Sequence, residues 1–319
     1  MQQLNNLDIY RIPGVSQTSG QSAQQFLLRH LQMRGLVNDG AVCGLLCFFL
    51  LCHRMNLARY FVDFSMISSN NTPDYPILLF LRILKAMPSP EPFSIQLFVQ
   101  SWNNSMTLQN GRAALGANDD ILVVDNVMRS LMPYLRNRTT PVITKFTLKY
   151  NCNVCSIPYS NISLDDNVGF SCVPLLDIPD SRGISPGQIL TNLLNTPVNF
   201  NCVACNTPVQ ASLVPERGIY TLFAINRLQY DRQNAVLPKV LTKLTDRRST
   251  GAGERLCGDL ISCISHVGSH QRGHWISYHK TTDNVWWKNN DSYPIVQSNH
   301  PFNTSVNDET VNFVVFKNE

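Results

Sequence analysis

The chain has 319 residues, 44% hydrophobic and 15% charged, with 26 basic against 22 acidic side chains for a net charge of +4. That is material for one large domain or two ordinary ones. Charge this mild, with its lysines and arginines dispersed rather than striped, argues against a nucleic-acid binder.

The opening MQQLNNLDIYRIPG has no apolar stretch of the kind a secretory signal needs. The most apolar window, 45–52, is too short for the roughly 20 residues of a membrane span. The expectation is therefore a soluble protein of a reducing compartment, cytoplasmic and/or nuclear, whose ten cysteines are thiols or metal ligands rather than disulfides.

In chain order, residues 1–20 read as an irregular lead-in. Residues 22–33 carry a helical pattern with Phe26, Leu27, His30 and Leu31 on one face, stopped at Arg34-Gly35. A turn at Asn38-Asp39-Gly40 leads to Cys43, which opens a segment apolar on every side (Leu45, Leu46, Phe48, Phe49, Leu50, Leu51). Such a segment is a buried helix. A cysteine at a helix N-terminus meets unpaired N–H groups and the positive end of the dipole, and both favour its thiolate. Taken alone, Cys43 is explained at least as well by core packing, and Cys47 and Cys52 fully so. The spacing predicts further helices over 76–87, 93–102 and 119–135, the last capped by Asn118 or Asp119. Up to about residue 135 the chain should be mainly α.

The pattern then changes. Residues 141–150 (PVITKFTLKY) alternate apolar and polar, which signals a strand, and run into Cys152-Asn153-Val154-Cys155. A strand over 170–178 and a short helix over 186–195 precede Cys202-Val203-Ala204-Cys205. Strands are expected over 209–214, 218–228, 239–244, 256–266 and 311–317. A helical first half packed on a mostly antiparallel sheet is an α+β fold.

The two Cys-x-x-Cys pairs are the most specific local signal. Each can clamp one edge of a metal from a tight turn, and four thiolates complete a tetrahedron for one zinc ion. A redox pair usually stands alone at a helix start, whereas Cys152, Cys155, Cys202 and Cys205 both times follow strand-like runs. With no ligand position open, the zinc is structural, and no catalytic cofactor is implied.

Near the C-terminus, Gly273-His274-Trp275 begins an apolar, aromatic run. A second run, Val285-Trp286-Trp287, follows a turn over 281–284 and ends in Asn289-Asn290-Asp291. If the two pair, His274 lies beside Asn290 or Asp291. A strand histidine oriented by an amide or carboxylate is the base half of a nucleophilic catalyst. Alone, His274 is equally a core histidine, and 289–292 merely a turn.

GLVNDGAVC resembles the cysteine box of the ubiquitin-specific proteases, and HVGSHQRGHWISY with VWWKNNDS resembles their histidine box. The Cys-x-x-Cys pairs resemble the family's zinc-holding fingers, LVPERGIYTLFAINRL its Leu-Pro…Arg-Phe strand, and VNFVVFK its last strand. The resemblance covers about 35–317 in the family's order. It implies a papain-like arrangement of fingers, palm and thumb in one catalytic domain over 1–319. The divisions are a lead-in at 1–20, a mainly helical thumb at 21–140, fingers and part of the palm at 141–230, and the remaining palm with the histidine box at 231–319.

It also implies roles. Cys43 is the nucleophile, His274 the base and acid, Asn290 the holder of the imidazole tautomer, Asp291 the adjacent carboxylate, and Asn38 the donor to the oxyanion. The loop over 269–272 matches a mobile loop beside the substrate tail. The implied activity is hydrolysis of isopeptide bonds after the C-terminal glycine of ubiquitin, with ubiquitin conjugates as partners and neither nucleic acid nor membrane.

Departures from the pattern are Gly44 for the usual Tyr, Leu46 for Asn, Leu228 for Phe and Trp275 for Tyr. They bear on which modifier is bound. Cys47 is shared with a divergent SUMO isopeptidase of the family, so SUMO or another ubiquitin-like modifier is the second reading. A binding module that holds ubiquitin without cleaving it is the third.

Overall fold

The computed structural model describes residues 36–37, 43–61, 75–87, 93–108, 127–128, 130–136, 139–155, 158–163, 175–177, 183–227, 242–246, 250–268, 273–290, 295–303 and 309–318. The lead-in, the helix expected over 22–33, Asn38, Asp291, the loop over 269–272, and most of the strand expected over 239–244 lie outside these residues. So does the first half of the helix expected over 119–135.

The N-terminal part is helical, as its apolar spacing requires. Strand β1 (Leu36–Val37) precedes helix α1 (Cys43–Arg54), a 3-10 turn (Leu57–Tyr60) and helix α2 (Tyr75–Ala86). Strand β2 (Phe93–Ser94) then leads into helix α3 (Gln96–Leu108). The helix expected over 93–102 therefore starts three residues later, because 93–94 pair in parallel with β1. Two residues a strand are too few to leave a period-2 signal. Helix α1 is buried all round, and Phe49 stacks on Phe80 of α2 at 4.5 Å and meets Phe98 of α3 edge-on at 5.4 Å.

Two sheets follow. Strands β3 (Lys145–Asn151) and β4 (Pro158–Ser163) precede β5 (Leu175–Asp177) and helix α4 (Pro186–Asn195). After them come β6 (Val198–Asn201), β7 (Pro208–Glu216) and β8 (Tyr220–Asn226). Helix α4 begins where Ser185 accepts a hydrogen bond from the Gln188 N–H, with Pro186 in the first turn. The C-terminal strands are β9 (Asp259–Gly268), β10 (Gly273–Lys280), β11 (Trp286–Asn289), β12 (Val296–Ser298) and β13 (Thr310–Lys317). Leu256, expected to open the strand over 256–266, instead closes a 3-10 turn (Glu254–Leu256), and β9 starts at Asp259.

One sheet has the order β4-β3-β7-β6. The other runs β12-β11-β10-β9-β13-β8-β5, antiparallel except for β5 alongside β8.

The seven-stranded sheet is covered on both faces, so its central strands β9 and β13 are buried along nearly their whole length rather than at alternate residues. Leu222, Ala224, Ile264, Phe313 and Val315 face the core formed with α1, α2 and α3. The alternate residues Phe223, Ile225, Cys263, Val314 and Phe316 face a second core with Ile189 and Leu190 of α4. Buried Arg227 staples this core's edge, donating from Nε and Nη2 to the Val311 carbonyl and from Nη1 to that of Thr242.

Candidate functional site

The hairpin of β10 and β11 closes through the turn that the sequence marks. Asn284 takes the left-handed conformation (φ 65°), and the Thr281 N–H donates to the Val285 carbonyl at 2.9 Å. The register pairs Ser277 with Asn289 and Tyr278 with Lys288. Because side chains alternate, His274, Ile276 and Tyr278 share a face with Lys288 and Asn290, while Trp275, Ser277 and His279 share the opposite face.

Across the first of these faces His274 Nε2 lies 2.6 Å from Asn290 Oδ1. An amide oxygen only accepts, so Nε2 carries the proton and Nδ1 is the acceptor nitrogen. The imidazole is half-buried. Gly273 is required beside it, because a Cβ there would lie 2.0 Å from Nε2 of His266, whose ring meets Trp275 edge-on at 4.7 Å.

Cys43 is the first residue of α1 and is almost buried. Helix α1 packs against β10 and β9. At its far end Arg54 donates from Nε (3.0 Å) and Nη2 (2.5 Å) to the carbonyl of Lys280, the last residue of β10. His279, fully buried under this clamp, is pushed down to about 3 by desolvation, with the charges of Arg54 and His53 adding to it. Helix and strand thus have their C-terminal ends together. From Arg54 back to Cys43 a helix rises about 16 Å, which is about five residues of strand. Counted back along β10, that brings the start of α1 level with its start, where His274 stands. The helix lies on the face of β10 that carries Trp275 and His279, and His274 bonds to Asn290 across the other.

Cys47 and Cys52 are core residues, as their spacing predicts.

The four Cys-x-x-Cys thiols come together at the tips of two turns. The first follows β3 and the second follows β6, and all four sulfurs lie within 4.8 Å of one another. Cys152 Sγ is 3.4 Å from Cys205 Sγ, and Cys155 Sγ is 3.6 Å from Cys202 Sγ. Bonds of about 2.3 Å to a tetrahedral zinc put sulfurs about 3.8 Å apart, so the cluster has the size to hold such an ion. The turns are tied by a hydrogen bond from the Val203 N–H to the Tyr150 hydroxyl at 3.0 Å.

The Cys152 thiol is lowered, first by the Cys155 backbone N–H. At Cys202 burial is the largest effect and works upward. The backbone N–H groups of Cys205 and Ala204, with the thiols of Cys205 and Cys155, outweigh it and bring the group down to about 6.

No protein-family profile matches the chain. No curated protein matches it either. Solved structures do. The SAGA DUB module of Ubp8, Sgf11, Sus1 and Sgf73 bound to ubiquitin aldehyde aligns with a TM-score of 0.54 at 16% identity, over 90% of this chain and 70% of that one. The module bound to monoubiquitin aligns at 0.53 and 14%, over 91% and 70%. The yeast module carrying a Sgf73 point mutant aligns at 0.55 and 15%, over 99% and 75%.

The fold is that of a ubiquitin-specific protease. The four-stranded sheet with its cysteine cluster is the fingers of that fold. No helix among the described residues is long and apolar enough to cross a membrane.

Sequence reasoning missed the short edge strand β12 and the buried Glu309 ahead of β13. No local pattern marks Glu309, since a carboxylate before a strand is ordinarily solvated.

Proposed function

We propose that this chain is a thiol isopeptidase that cleaves ubiquitin from lysine ε-amines. The observation that carries the reading is the 2.6 Å contact between His274 and Asn290 at the start of β10, the strand on which the helix that Cys43 opens is packed.

The Cys43 thiolate attacks the carbonyl carbon of the modifier's C-terminal glycine, and Asn38 donates its side-chain N–H to the oxyanion. The His274 imidazolium then gives its proton to the lysine amine as the C–N bond breaks. Water adds to the thioester, passes a proton to His274, and releases the free carboxylate and Cys43. Asn290 holds the tautomer that leaves Nδ1 to exchange the proton, and Asp291 shares that work from the next position.

The cysteine cluster holds one structural zinc ion, and the chemistry needs no further cofactor. The chain divides into a thumb (21–140), fingers with part of the palm (141–230), and the remaining palm (231–319). It works in the cytoplasm and/or nucleus.

Ubiquitin carrying a C-terminal propargylamide tests the reading. An adduct with the wild-type chain and none with Cys43→Ala is the expected result. An adduct only with the SUMO probe assigns another modifier, and retained binding without an adduct makes the chain a binding module.

A further inference from the structure

A buried carboxylate stands on the sheet face that carries the His274–Asn290 contact, outside the set of residues given a catalytic role. Glu309, the residue before β13, has a side chain only 1% exposed. Its Oε1 accepts a 2.5 Å hydrogen bond from the Tyr278 hydroxyl. Its Oε2 lies 3.7 Å from Lys288 Nζ and has no hydrogen-bond partner among the described residues. Lys288 Nζ in turn sits 5.6 Å over the Tyr278 ring. One carboxylate therefore ties β10 to β11 through the directly facing pair Tyr278 and Lys288.

Stability gives little reason for this arrangement. Burying a carboxylate is costly, and a single phenol with an ammonium beyond hydrogen-bond distance does not offset it. An apolar residue of similar volume is often as good or better. Burial, and then the hydrogen bond to Glu309, push the Tyr278 hydroxyl well above its usual range, so it remains a donor.

Position gives a better reason. Along β11, Asn290 projects from the Lys288 face one side-chain repeat further on, and along β10, His274 projects from the Tyr278 face two repeats back. The described pairing of β11 with β10 ends at Asn289, so Asn290 is steadied from the side where Lys288 is anchored.

We propose that Glu309, acting through Lys288 and Tyr278, is a positioning residue that sets Asn290 and thereby the tautomer of His274. The inference rests on the catalytic reading for its purpose, but its geometry is testable without substrate.

Glu309→Gln keeps the acceptor for Tyr278 and removes the charge that draws Lys288, whereas Glu309→Ala removes both. In a Cys43→Ala background, nitrogen-15 spectra of the His274 ring, assigned by its loss in His274→Gln, should show the Nε2–H tautomer alone. Glu309→Ala should mix tautomers as Asn290→Ala does, and Glu309→Gln should do so to a lesser degree. Ile225→Val, which trims the same sheet face away from the network, should leave the ring unchanged. With Cys43 intact, both Glu309 variants should lower kcat on a ubiquitin C-terminal amide about 10- to 100-fold with KM unmoved. Folded Glu309 variants that keep the parent ring spectrum overturn the proposal even where wild type reacts with ubiquitin probes. Ring spectra that change as expected in a chain inert to every probe uphold the positioning and overturn the isopeptidase reading instead. Should Glu309→Ala fail to fold, Glu309→Gln carries the test.

Discussion

The cysteine cluster of the four-stranded sheet and the pair formed by helix α1 and strand β10 use similar side chains differently. In the fingers, four thiols from two tight turns face one another, and backbone N–H groups lower Cys152 and Cys202. Every position around an ion there is filled from the chain, so such a site holds shape and offers no place for a substrate. Across α1 and β10, one thiol begins a helix, and Nε2 of one imidazole bonds to Asn290 Oδ1. What separates a closed clip from a candidate reactive site is surroundings rather than residue type.

The comparison breaks most easily at the fingers. Cys202→Ser should abolish zinc in elemental analysis and unfold β3, β4, β6 and β7, since structural zinc sites contribute about 10 kcal/mol or more to folding. Amide exchange should collapse over 145–151 and 208–216 while β9, β10 and β13 stay protected, and a strong chelator should reproduce the pattern. Loss of protection in both sheets together would show that clip and palm are not separable.

At the candidate catalytic site, Asn38→Ala should cost about 3 kcal/mol in the transition state, read as a fall in kcat with KM and zinc content unchanged. A defect in KM alone would remove Asn38 from the oxyanion role. Arg54→Met tests how the palm is aligned. Losing a charged donor to a carbonyl costs about 1.5–3 kcal/mol, and kcat should fall with it because the clamp fixes α1 against β10. Unchanged kcat in a destabilised Arg54→Met protein would mean that the register of α1 is set elsewhere.

The smallest effect concerns His279. The fold holds it neutral down to about 3, against 6.5 for an ordinary histidine. The unfolded chain therefore binds a proton that the folded chain refuses. This contribution to stability is complete above about pH 6.5 and is lost as pH falls toward 3, at up to about 1.4 kcal/mol per unit. Denaturant titrations of His279→Asn should show lower stability at neutral pH and a flatter slope across that window, with the zinc site unaffected at pH 7. An unchanged slope would place the acid sensitivity in other groups.

How much of this was legible follows from which interactions are local. Helix α4 was readable to the residue because Ser185, Pro186 and an apolar stripe lie within it. The β10–β11 hairpin was readable because its turn and aromatic runs adjoin. The four knuckle cysteines announce themselves by spacing. The parallel β1–β2 pair was not readable, since its partners lie far apart and are two residues long. Nor was the Glu309 network, because a carboxylate before a strand reads as solvated until tertiary packing covers it. The packing of α1 on β10 is longer-range still. It depends on Arg54 reaching Lys280, 226 residues away, and no local pattern encodes that.

The central claim is that one of ten cysteines is set apart by the histidine at the other end of the chain. Peptide mapping by mass spectrometry of the chain after reaction with ubiquitin propargylamide tests it most directly. The account predicts a single modified peptide carrying the probe on Cys43, lost in His274→Ala. A probe found on a knuckle cysteine, or on Cys43 with equal yield in His274→Ala, would contradict it.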